Sequence, residues 1–294
     1  VLFRSGDNSL TGGDGDDIMT TGSGDDIIEA GEGDDTATSG SGDDTVTGGD
    51  GNDILDAGDG DNTVLGGDDD DTLTTGSGDD TLQGDAGNDI LEAGDGINTL
   101  LGGEGNDYLT SGSGDDSLDG GEGDDTLDAG NGVNTLIGGD GNDRLTSGSG
   151  DDTLDGGFGD DSLIAGSGND ILTAGAGNDF ISGGDGIDLA DFSGATAGII
   201  GDLATGNVTG EGNDRLIKIE NIRGSSQNDE LTGDSGANLL EGEDGNDTLI
   251  GASGNDTLLG GGSDDILQGD AGSDTLLGGD ANDTLTGGSE DDLL

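Results

Sequence analysis

The chain has 294 residues, 70 of them Gly, with 69 Asp and Glu against five Lys and Arg, and no Pro, Cys, His or Trp. A formal charge of −64 excludes partners held by phosphates, whether nucleic acid or anionic lipid, because such binding needs clustered cations. With 27% apolar residues and no run near the ~18 that a membrane span needs, the composition alone reads as disorder until something neutralises it.

The chain opens VLFRSGDNSL, without an initiator Met or an apolar signal segment, and is already inside a nine-residue frame at Leu2. From Leu2 to Ala190 the unit x-G-G-x-G-x-D-x-U, with U a large aliphatic residue, runs without insertion or deletion for about 21 copies. Residues 146–163 are two such copies. The Gly-rich half reads as a turn, and the residues after Asp read as a short strand with one inward apolar side chain, such as Leu118, Leu127 or Leu136. A longer beat overlies this one. TSGSGDD or TTGSGDD starts at Thr38, Thr74, Thr110 and Thr146, and Asp56–Asn62, Glu92–Asn98 and Asp128–Asn134 keep the same spacing of about 36 residues, which marks duplication.

Residues 191–222 break the frame and carry Arg215 and Lys218. Ile217 and Ile219 alternate with Lys218 and Glu220, which predicts a strand with one buried face. Leu203 to Val208 predicts strand–turn–strand about Gly206. The frame resumes at Arg223, in a new phase, for about eight copies to Leu294. Three segments follow: 2–190, a β-rich spacer at 191–222, and 223–294. Neither end carries a polar capping repeat, so the chain is expected to be part of something longer.

The nonapeptide resembles the RTX (hemolysin-type) calcium-binding repeat, over about nine-tenths of the chain. That resemblance implies an all-β fold: a right-handed parallel β-roll, or β-solenoid, with two nonapeptides per coil and one β-rich interruption. It also implies Ca²⁺ held between turns n and n+2 on one edge by both Asp carboxylates and several turn carbonyls. Ca²⁺ takes six to eight oxygens at about 2.3–2.6 Å, more than one turn supplies. The implied metal ligands in the first segment are Asp17, Asp26, Asp35, Asp44, Asp53, Asp71, Asp80, Asp89, Asp107, Asp116, Asp125, Asp143, Asp152, Asp161, Asp170, Asp179 and Asp188. In the last segment they are Asp229, Asp247, Asp256, Asp265, Asp274, Asp283 and Asp292, for roughly 20–25 ions in all. Asn8, Asn62, Asn98, Asn134 and Asn238 stand in the ligand place and offer oxygen without charge, which predicts weaker sites. Gln227, Ser263, Asp70, Ala281 and Glu290 stand where turn glycines are expected. Asp25, Asp43, Asp79, Asp115 and Asp151 face outward and are expected to keep the protein soluble.

Stacked turns bring carboxylates within about one strand spacing, ~4.8 Å, where each pair repels by roughly 3.5 kcal/mol at an effective dielectric of ~20. The chain is therefore expected to be unfolded without Ca²⁺ and folded with it. Without His or Cys the usual catalytic triads are excluded, and no enzyme activity is expected of the chain itself. The family resemblance implies type I export from a Gram-negative bacterium, with Ca²⁺ as the cofactor, while charge and the lack of a long apolar run give no expectation of a nucleic-acid or membrane-inserted partner. The expected role is a structural module that folds after secretion, as an extracellular spacer or an adhesin-like, surface-associated region. The alternatives are the C-terminal module of a larger secreted enzyme and an ice-binding solenoid.

Overall fold

The computed structural model describes residues 5–294, so Leu2, where the frame begins, lies outside the described residues. Among the described residues there is no helix. The chain forms two compact units, residues 1–152 and 153–294, built on one plan.

In the first unit each nonapeptide supplies one strand, and successive strands fall alternately into two parallel sheets. One sheet holds six-residue strands, from Ser9–Asp14, Ile27–Glu32 and Thr45–Asp50 through to Thr135–Asp140. The other holds shorter ones, from Ile18–Thr20, Thr36–Thr38 and Ile54–Gly58 through to Arg144–Thr146. Partners lie 18 residues apart, as in Ser9 with Ile27 and Ile18 with Thr36, so two nonapeptides make one coil, as expected. With a side-chain period of two, one residue per short strand points inward. Val46, Val64, Leu82, Leu100, Leu118 and Leu136 stack under one sheet; Leu55, Leu73, Leu91, Leu109, Leu127 and Leu145 stack under the other, all fully buried. Each contributes roughly 1.5–3 kcal/mol.

The second unit repeats this plan and then departs from it. One sheet runs Thr153–Phe158, Ile171–Ala176, Leu189–Asp191, Asn221–Arg223, Leu239–Glu241, Thr257–Gly261, Thr275–Gly279 without interruption. The opposite sheet takes three spacer strands between Phe180–Asp185 and Glu230–Thr232. From Asp191 the chain crosses to lay Ile200–Asp202, folds back antiparallel as Asn207–Thr209, and turns again into Asn213–Ile217 beside Phe180–Asp185. Asp202 faces Asn207 across the expected turn, with Gly206 at φ 69°.

The alternation expected at Ile217–Glu220 is corrected. Leu216 and Ile219 are the buried pair, because Lys218 takes a left-handed φ of 53° that ends the strand and shifts the inward phase. Phe192, Ile199, Val208 and Ile222 are buried in the same segment, and Val208 and Ile222 meet with Leu231 about Gly201. A Cβ on Gly201 would stand 3.2 Å from Ile222 Cδ1 and 3.4 Å from Leu231 Cδ2. Arg223 ties neighbouring strands by pairing with Asp191 at 2.8 Å and Glu241 at 2.6 Å.

Candidate metal-binding edges

The turn that ends on Asp53 represents the others. Gly49 and Gly51 sit at φ 128° and 122°, and a Cβ on Gly49 would collide with the Gly31 carbonyl of the coil before. Glycine is therefore what lets turns stack carbonyl against backbone. A Cβ on Gly48 would collide with Asp53 Oδ2 and stand 2.7 Å from the Gly66 carbonyl. The missing side chain is the room that the carboxylate and the next coil's carbonyl share.

Where another residue replaces the third turn glycine, the backbone moves into the left-handed helical region: Asp69 at 80°, Ser263 at 79°, Ala281 at 87° and Glu290 at 73°. The residue at that place in its turn is Asp69, not Asp70, which stands one position later. Gln227 fills the same place without a positive φ. Four replacements of the second glycine, Asp85, Glu243, Ala252 and Asp270, also take positive φ, and the sequence reading passed over them.

The aspartates closing the turns form registered columns. On one edge of the first unit the backbone N–H of Asp17, Asp35, Asp53, Asp71, Asp89, Asp107 and Asp125 each donates to Oδ1 of the Asp 18 residues later, at 2.6–2.8 Å. The other oxygen has no donor. Oδ2 of Asp35, Asp53, Asp71, Asp89, Asp107 and Asp125 is buried without a hydrogen-bond partner. Burial, with repulsion from column neighbours added, pushes Asp71 and Asp125 up to about 7 and Asp53 and Asp89 up to about 6. On the other edge Asp26, Asp44, Asp80 and Asp116 alternate in part with Asn62, Asn98 and Asn134 and continue to Asp152, in the same ladder at 2.7–3.1 Å. Asn8 donates its N–H and Nδ2 to Asp26 Oδ1.

In the second unit Asp161 leads to Asp179, and Asp170 to Asp188. The runs of Asp229, Asp247, Asp265 and Asp283, and of Asn238, Asp256, Asp274 and Asp292, repeat the pattern. Two further acids join from the spacer. Asp214 Oδ1 accepts from Asp179 N–H at 3.1 Å, and Glu220 Oε2 accepts from Asp188 N–H at 2.9 Å. Asp214 had a signal, since Gly212-Asn213-Asp214 keeps the G-x-D tail of the repeat. Glu220 had none; its place is set by the pairing of Asn221 with Leu189. At the inserted strand Ile200–Asp202 the ligand place falls to buried Ile199, whose N–H donates to Asp229 Oδ1 at 2.7 Å. One column is thus interrupted there by an apolar residue.

A second ladder runs the opposite way along the residue before each inner Asp. Asp16, Asp25, Asp34 and Asp43 each accept on Oδ1 from the N–H 18 residues later, at 3.0–3.2 Å. Asn88 gives both its N–H and Nδ2 to Asp70, which holds that carboxyl below its ordinary value. Asp25 and Asp43 are exposed as expected, but they also brace coil to coil. The near-constant Asp or Asn at this place was the available signal.

No three acidic side chains converge on one point among the described residues, so a cation on these edges would need backbone oxygens to complete its shell. The donor set is all hard oxygen: carboxylates with an orphan Oδ2, and turn carbonyls. That set suits Ca²⁺ and lacks the nitrogen or sulfur that zinc favours. A buried anion facing acceptors is costly unless a cation or proton is supplied. The residues fit the group.

A parallel β-solenoid whose turn edges carry such columns is a repeat protein whose edges offer hard-oxygen ligands. The profile of the RTX calcium-binding nonapeptide repeat, four copies long, matches residues 4–37, 29–64, 38–73, 65–100, 92–127, 101–136, 128–163, 155–190, 223–258 and 259–294. The chain belongs to that family, and residues 191–222 lie outside every match. No curated protein matches the chain.

Proposed function

We propose that the chain is a structural calcium module that folds on binding about 20–25 Ca²⁺ ions. The ligands in this reading are the inner aspartates from Asp17 to Asp188 and from Asp229 to Asp292, in the segments 2–190 and 223–294. Asp214 and Glu220 carry the columns into the spacer. The observation behind it is the series of buried Oδ2 atoms without a donor, repeated coil after coil. When bound, Ca²⁺ supplies the positive charge those oxygens lack; the chain's part is to hold Oδ1 in the ladder and aim Oδ2 at the turn carbonyls.

Such a chain stays unfolded at submicromolar Ca²⁺ and folds at the millimolar level outside the cell, where modules with affinities of about 10⁻⁴–10⁻³ M work. This supports export by a type I route in a Gram-negative bacterium and a role as an extracellular spacer or adhesin-like, surface-associated segment. The length of the array favours a spacer. Catalysis is no part of this reading, because the inner acids are accounted for by ladders. Equilibrium dialysis against Ca²⁺ with atomic emission tests it. A count of about 20–25 per chain is expected, and a count near zero removes the proposal.

A further inference from the structure

The two edges of the first unit differ. We infer that Asn62, Asn98 and Asn134 close their turns without an ion, so that side-chain amides staple that edge at every other coil. The inference rests on the calcium reading above and assigns these residues the opposite part from a weakened site.

Nδ2 of Asn62 donates to the carbonyls of Gly58 and Gly60 at 3.1 and 2.9 Å. Asn98 donates to Gly94 and Gly96 at 3.0 and 3.3 Å, and Asn134 to Gly130 and Gly132 at 3.5 and 3.3 Å. These carbonyls lie four and two residues before the side chain. In an Asp turn the same repeat offers them a carboxylate oxygen, acceptor against acceptor, and Oδ2 of Asp44, Asp80 and Asp116 is left without a donor. The amide's two hydrogens do there what a cation does for the acid. The last glycine of the turn is unaffected: Gly60, Gly96 and Gly132 have φ of 131°, 143° and 141°, and Oδ1 of each Asn still accepts the ladder N–H.

A second position varies in step. The residue five before the inner side chain faces its outer atom, as the collision of a Cβ on Gly48 with Asp53 Oδ2 indicates. On this edge it is Ser39, Thr75, Ser111 or Ser147 where the inner residue is Asp, and Ala57, Ala93 or Ala129 where it is Asn. In the acid turns the hydroxyls of Ser39 and Ser111 donate to the carbonyls of Ala57 and Ala129 in the next coil, at 3.1 and 3.0 Å. An amide nitrogen whose hydrogens are already used is met by a methyl group. The exchange recurs with the 36-residue beat, so the two positions form one alternative turn, used repeatedly. Each Asn also doubles the spacing between carboxylates along the column, which halves their repulsion. The all-Asp edge has no such relief and depends on ions at every turn.

The test converts Asn62→Asp, Asn98→Asp and Asn134→Asp together in the full chain, with Asn52→Asp, Asn88→Asp and Asn106→Asp as a charge-matched control in the outer ladder. Bound Ca²⁺ is counted by equilibrium dialysis, and strand circular dichroism is followed through a Ca²⁺ titration. The inner variant is expected to bind about three to six more ions per chain, since each converted turn borders two gaps between coils, and to need more Ca²⁺ at its folding midpoint, while the control keeps the wild-type count. An unchanged count and midpoint in the inner variant, or an equal gain in the control, overturns the staple while leaving the calcium reading intact. A wild-type chain that binds no Ca²⁺ removes both.

Discussion

In residues 9–152 the carboxylate columns come from a repeat; in 191–222 Asp214 and Glu220 join the columns of the second unit from sequence outside the repeat frame. The regular coils place an acid by spacing, 18 residues at a time. The spacer places it by strand pairing, at separations of 35 and 32 residues. The difference teaches that the ladder between strands, rather than the motif, makes a residue a column member. It also shows the cost of irregularity, since the hairpin leaves Ile199 where an acid would stand.

The largest contrast expected between the regions is in packing. Leu118 is fully buried between Leu100 and Leu136 in register, and Leu118→Ala should cost about 2–5 kcal/mol with Ca²⁺ saturating. Leu216, at 5% exposure beside the inserted hairpin, should fall at the low end, about 2 kcal/mol. Urea midpoints would compare them; an equal or larger loss at Leu216 would mean that the spacer, not the repeat, holds the tighter core.

Backbone comes next. Gly105 has φ 128° and its Cβ would collide with the Gly87 carbonyl, so Gly105→Ala should force the left-handed helical φ seen at Ala281, at about 1–2 kcal/mol. Gly194, in the spacer, has open space around its Cβ position, and Gly194→Ala should stay within about 0.5 kcal/mol. Matching melting shifts for the two would contradict the stacked-turn account.

The smallest effect concerns protons, the other means of neutralising a column. Asp71, Asp125, Asp179 and Asp247 are pushed up to about 7, chiefly by burial, and a carboxyl raised on folding stabilises the fold below its unfolded value. That contribution is complete below about pH 4 and is lost as pH rises through about 7. In chelator, strand signal should therefore grow as pH falls from 7 toward 4. A signal that weakens over that window would show that the columns are not the source of the instability.

Much of this was legible in the sequence because the repeat is a direct image of the coil. A nine-residue period with one Asp and one aliphatic residue fixed the parallel pairing of Leu118 with Leu136 and the columns from Asp17 to Asp292. What stayed hidden depends on atoms rather than spacing. At Asn62 the sequence offers an oxygen without charge, and only the turn geometry reveals that its amide hydrogens reach two carbonyls. The outer ladder through Asp25 and Asp43 looked like solvated charge, because exposure and hydrogen bonding are not exclusive. Glu220 could not be found at all, since a single left-handed residue, Lys218, and a non-local pairing decide its place.

At pH 7, where protons do not neutralise them, the columns are expected to hold together only around cations. Far-UV circular dichroism of the full chain at pH 7, recorded through chelation and then readdition of Ca²⁺, tests it most directly. Loss of the strand signal in chelator and its return with Ca²⁺ is the predicted result; a chelated chain that keeps its strands and melts cooperatively would contradict it.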